Sequence, residues 1–169
     1  MAAFTGTAKG AFRLGAAIPK NRGALFENVP TLRRAMADTS YVSLAVNGTL
    51  MRGLELNPNM LAAGAEFVRE DRTEPAYRLY SIGDRHPGMV RVAEGGVSVA
   101  VEVWQVPVQG VSAILLQEPP GLCVGKVKLA SGEETLGVLA EPILCEGQKE
   151  ITQFGGWRAY RDAAKRGEA

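Results

Sequence analysis

The sequence predicts an α+β domain, a small mixed β-barrel with short flanking helices. Three observations lead there. Short apolar or alternating runs recur along the chain and are joined mostly by tight turns. The helical signals between them are brief, each opened or closed by proline or glycine. Neither GxGxxG nor GxxxxGK[ST] occurs, so nothing points to a doubly wound dinucleotide or triphosphate fold.

In chain order, residues 1 to 39 read as an N-terminal extension, partly flexible. Its first 26 residues carry Lys9, Arg13, Lys20 and Arg22 with no acid, a composition of either a transit peptide or a poorly packed tail. A short helix is expected over Asn28 to Asp38, with Pro30 near its start. The domain proper begins at about residue 40. Tyr41 to Val46 is apolar apart from Ser43 and predicts a buried first strand. Asn57-Pro58 sets an N-cap before proline, predicting a helix to Ala63 that Gly64 ends.

Strands follow over Ala65 to Arg72, Tyr77 to Ile82 and Gly88 to Ala93, with residues 83 to 88 as a loop. Glu94-Gly95-Gly96 reads as a tight hairpin turn. Val97 to Val106 is the longest strand candidate. It sets Val97, Val99, Val101 and Val103 on one face and Ser98, Ala100, Glu102 and Trp104 on the other. Pro107 opens a helix to Gln117, closed by Pro119-Pro120-Gly121. Leu122 to Leu129 and Thr135 to Ala140 form a hairpin about Ala130-Ser131-Gly132, and Pro142 begins a turn of helix to Cys145. A last helix spans Trp157 to Lys165.

Composition removes several function classes. The 169 residues carry a formal net charge of +1, so there is no global field for nucleic acid or an anionic membrane. No run reaches the roughly 18 apolar residues of a membrane span, and a cytoplasmic protein is expected. One histidine, His86, and two distant cysteines, Cys123 and Cys145, are poor material for a metal site, and no cofactor is implied. The cysteines fit two buried thiols better than a disulfide.

The candidate binding segment is the loop after the first strand. Asn47, Gly48, Thr49, Leu50, Met51 and Arg52 make up this loop, which contains Gly48 and ends against Gly53. Glycine lets the backbone approach a ligand, and successive N–H groups beside a cation can hold a carboxylate. The alternative is a plain turn with Arg52 in solvent. Glu102, midway along a central strand, is the candidate general acid or base, or else an outward-facing or ion-paired glutamate. His86 falls in a polar loop and reads as a surface histidine. Cys123 reads as core, with Lys126 near it in sequence. In the segment 154 to 160, Phe154 and Trp157 read as buried anchors, and Arg158 could reach a neighbouring pocket or an interface.

The segments LAVNGTLMRGLELN, AYRLYSIGDRHPGMVRV, GGVSVAVEVWQVP, PPGLCVGKVKLASGEETLGVLAEP and ITQFGGWRAY together resemble the C-terminal domain of allophanate hydrolase, over roughly Tyr41 to Arg161. That resemblance implies a γ-glutamylcyclotransferase-like fold. It also implies a link to a two-step reaction. An amidase domain deaminates allophanate, and the C-terminal domain decarboxylates the resulting N-carboxycarbamate and contributes to assembly. The amidase signature is absent from this sequence. The family's loop histidine corresponds here to Thr49, while Gly48 to Leu50 is similar to the substrate-gripping loop of γ-glutamylcyclotransferases, with Asn47 in place of tyrosine. The cyclotransferase glutamate maps to Ser98 or Glu102. The expected ligand is a small carboxylated amide or amino-acid derivative, held by residues 47 to 52 and Tyr80. The alternatives are a non-catalytic module for a separately encoded amidase or for self-association, and a γ-glutamylcyclotransferase-type activity.

Overall fold

A computed structural model of the chain describes residues 41–169. The helix expected at 28 to 38 and the N-terminal extension lie outside the described residues. The elements are β1 (Tyr41–Val46), α1 (Asn57–Ala62), β2 (Glu66–Arg72), β3 (Tyr77–Ile82), β4 (His86–Arg91), β5 (Ala100–Pro107), α2 (Val108–Leu115), β6 (Leu122–Lys128), β7 (Glu134–Ala140), α3 (Pro142–Cys145), β8 (Lys149–Glu150), a 3-10 turn (Thr152–Phe154) and α4 (Trp157–Lys165). None of the described helices is long and apolar enough to cross a membrane.

The strands form two hydrogen-bonded sheets. The larger has the order β2-β5-β1-β7-β6, and the smaller β4-β3-β8. Only β1 and β7 pair in parallel; the other named pairs are antiparallel. The expected barrel is therefore corrected in one respect. The larger sheet curls until its edges meet beyond β2 and β6, but they join at a single Thr73–Leu129 bridge and not along a ladder. Glu74 N–H to the Lys128 carbonyl and Ala130 N–H to the Arg72 carbonyl fasten that corner, at 2.9 and 2.8 Å. A register shift in β2 between Phe67 and Arg69 adds the local twist that brings the edges round.

The core lies inside this curl. It includes Leu44, Val46, Met60, Leu79, Val101, Val103, Val106 and Trp157. β5 is central and buried on both faces, so Glu102 and Trp104 are as enclosed as the valines that alternate with them. Phe67 meets Trp104 edge-on, with ring centroids 5.6 Å apart.

Three expectations change here. Ladder pairing in β5 starts at Ala100, because the Ala100 N–H goes to the Gly155 carbonyl at 2.8 Å. Residues 94 to 96 do not make a hairpin between β4 and β5; the chain crosses to pair Val97 with Tyr77. Gly96 permits that crossing, since a Cβ there would lie 2.6 Å from the Ala76–Tyr77 backbone. β4 begins at His86, which buries the histidine expected on the surface.

Candidate functional site

The loop after β1 ends the strand as expected, but much of it faces inward. Asn47, Thr49, Leu50 and Met51 are buried. Asn47 is anchored by its Nδ2, which donates to the Val138 carbonyl at 2.9 Å. Gly48 fits tightly against Pro87, and a Cβ would come within 2.6 Å of the proline Cγ. The Met51 N–H closes a turn on the Gly48 carbonyl, and Asn57 Nδ2 holds the Leu50 carbonyl. That leaves the N–H groups of Gly48, Thr49 and Leu50 with no partner among the described residues. Three successive N–H groups without a partner are available to an anion beside the small cavity that their residues line.

These residues line a small cavity of about 20 Å³ with Val46, His86, Pro87, Glu118, Leu122 and Val138. The volume is on the scale of one water or one carboxylate group. Glu118 was not singled out by sequence reasoning. It follows α2 and precedes Pro119-Pro120, which stop the helix and turn the chain back along β6. Its Oε1 is buried without a hydrogen-bond partner. Desolvation in these apolar surroundings pushes its pKa up. The usable signal was a lone acid at the end of an apolar helix, pinned by two prolines. His86 lines the same cavity, and its Nδ1 lies 3.3 Å from the Pro87 carbonyl.

Glu102 lies elsewhere and is fully engaged. Its Oε2 accepts from the Arg52 N–H at 2.9 Å and from Trp104 Nε1 at 3.2 Å. Its Oε1 accepts from Arg158 Nη2 at 2.9 Å and Arg52 Nε at 3.3 Å. With 2 % exposure, this carboxylate has four donors and little capacity left. Arg158 thus reaches the loop from the opposite end of the chain, and its Nη2 also donates to the Arg52 carbonyl. Arg52 stacks on Phe67, 3.4 Å from the ring centroid, and pairs with Glu70 at 2.8 Å.

Glu102 and Met51 face a second, larger cavity of about 430 Å³, whereas Asn47 to Leu50 face the smaller one. Tyr80 lines neither; it packs beside Ile82, Ala140 and Cys145. Cys123 and Cys145 are free thiols, and burial pushes both pKa values up, which disfavours reactive thiolate. Among the described residues, no cluster of His, Cys, Asp or Glu could hold a metal ion.

The geometry has counterparts in known proteins. A family model described as the allophanate hydrolase C-terminal domain matches residues 42–162. The solved structure of a uropathogenic E. coli-specific protein is 64% identical, with a TM-score of 0.71 over 72% of this chain and 96% of that one. Kluyveromyces lactis allophanate hydrolase is 30% identical, with a TM-score of 0.69 over 73% of this chain and 21% of that one. Urea amidolyase of Saccharomyces cerevisiae is 30% identical over 138 residues. That match takes in 78% of this chain but 8% of the yeast protein, so the chain spans only a small part of that relative. The α+β architecture expected from the residues, mixed strands with short flanking helices, is the one observed. By the extent of the family match, the chain belongs to the allophanate hydrolase C-terminal domain family.

Proposed function

We propose that the domain binds a small carboxylated amide at the Gly48–Leu50 amides and transfers a proton to it from Glu118. The carrying observation is the buried, unpartnered Glu118 Oε1 in the same cavity as three unpartnered loop N–H groups. An N-carboxycarbamate-like intermediate suits that pairing. The cavity of about 20 Å³ takes one carboxylate at the loop amides, and the second, which is the group that leaves, lies at its mouth. Protonated Glu118 donates to the central nitrogen as the bond from nitrogen to the leaving carboxylate carbon breaks. Carbon dioxide departs, carbamate remains, and Glu118 regains a proton from solvent. Desolvation favours the protonated form that this step requires.

Glu102 acts in this scheme as a positioning residue. It fixes the Arg52 amide and so the end of the loop. His86 offers an imidazole in the cavity that Thr49, the position matching the family's histidine, also lines. The test is carbon dioxide release from allophanate pre-treated with an amidase, with wild type, Glu118→Gln and His86→Asn. Loss in Glu118→Gln with retained folding supports the scheme. Full activity in that variant removes Glu118 from it.

A second reading has its own support. The matched part of allophanate hydrolase is a minor share of that chain, and α1, α2 and the residue after α2 leave Leu61, Val108 and Leu116 exposed. A module that docks on a separate amidase, or on a second copy, fits those apolar groups. Co-purification and sedimentation of the full chain distinguish it: a monomer with no amidase bound counts against docking.

A further inference from the structure

The larger cavity is not used by the chemistry proposed at Glu118, and its walls have an organisation of their own. Its floor is the start of α4. Gly156 stands at the N-cap without a side-chain cap, and the first helical bond runs from the Tyr160 N–H to the Gly156 carbonyl at 3.1 Å. The N–H groups of Trp157, Arg158 and Ala159 therefore have no partner among the described residues, and all three residues line the cavity. Gly156 packs closely here, since a Cβ would come 3.1 Å from the Ala100 Cβ.

Two guanidinium groups flank that helix start. Arg158 is pinned by buried Glu102, so its side chain is held at the cavity although it is half exposed. Arg72 lies against Gly155, where a Cβ would fall 3.1 Å from Arg72 Nη2. Arg72 has only neutral side-chain partners, the hydroxyl of Ser98 at 3.2 Å and the Ser98 carbonyl. Its charge has no acid paired with it among the described ion pairs. Trp157, fully buried in the same wall, has an indole N–H with no hydrogen-bond partner. Glu70, mostly exposed and paired with Arg52 at 2.8 Å, and Asp71, paired with Arg69 at 2.9 Å, also line the cavity. At about 430 Å³ the space suits a small organic molecule.

We infer that this cavity is a second binding site, separate from the Glu118 site, for a small carboxylate whose other end carries N–H donors. The carboxylate takes the α4 amides with Arg72 and Arg158, and the N–H end meets Glu70. The inference does not depend on the proposed chemistry at Glu118.

The test uses N-carbamoylglycine as the probe, titrated into the full ¹⁵N-labelled chain and followed by the indole N–H of Trp157 and the α4 amides. Saturable movement of those signals at millimolar probe is expected. Arg72→Met should weaken the midpoint by about tenfold or more, the effect of losing one charged contact. Arg72→Gln, which keeps a donor for Ser98, should show the same loss, and Glu118→Gln should leave binding unchanged. N-Carbamoylglycinamide, which lacks the carboxylate, should not bind. Absent movement, equal binding by Arg72→Gln and wild type, or equal binding of the amide would each overturn the site. Failure of the decarboxylation scheme alone would not affect it.

Discussion

Replacing Glu102 by glutamine tests whether this carboxylate is an anchor. The side chain keeps its size, so no cavity forms, but one oxygen becomes an NH₂ group. Each oxygen now serves two donors. Whichever way the amide turns, two donors face another donor. The milder arrangement sets the NH₂ toward Arg52 Nε and Arg158 Nη2, whose side chains are 44% exposed and can turn to water. A hydrogen bond to a charged group contributes about 1.5–3 kcal/mol, and partial exposure reduces that. The loss is then roughly 2–4 kcal/mol in total. For a chain of this size, each kcal/mol moves the thermal midpoint by about 2–4 °C, so a fall of roughly 5–15 °C is expected. Circular dichroism melts of both proteins at one salt concentration provide the assay, with urea unfolding as a second measure. A midpoint within about 2 °C of wild type would refute the anchoring role.

Other outcomes follow from the same geometry. Glu118 has a folded pKa raised above its ordinary value of 4.5, so its stabilising contribution is full below that value. That contribution is lost as pH rises through the folded pKa. Glu118→Gln should accordingly gain stability relative to wild type between acid and neutral pH, and a pH-independent difference in urea unfolding contradicts the shift. Gly48→Ala drives a methyl group into Pro87 and should cost about 1–3 kcal/mol in urea unfolding, with a change below ~0.5 kcal/mol arguing against the tight contact. In the native protein Cys145 should react with a thiol reagent more slowly than the half-buried Cys123, and both more slowly than in denaturant. Equal native and denatured rates would contradict their burial.

Much of the architecture was legible because it is local. Pro58, Pro107 and Pro142 marked helix starts, and the apolar run of β1 marked a strand, of which only Leu44 to Val46 is buried. The Asn47–Arg52 loop and Glu102 were legible as unusual residues in ordered surroundings. Their partners were not, because Glu102 draws on Arg158 from 56 positions away and Asn47 on Val138 from 91. Sequence spacing says nothing about such pairings. The start of β5 was set by Gly155, and the burial of His86 by the packing of β4, both long-range effects. Glu118 escaped notice because its character comes from a missing partner, which only the assembled fold reveals.

The central claim is that Glu118 supplies the proton at the Gly48–Leu50 loop. Its most direct test is the rate of carbon dioxide release, above the spontaneous rate, from the amidase product of allophanate. Wild type should accelerate release, and Glu118→Gln should reduce that acceleration by a factor of about 10² or more, the scale of general acid catalysis. Equal acceleration by both proteins, or none by wild type, would contradict the account.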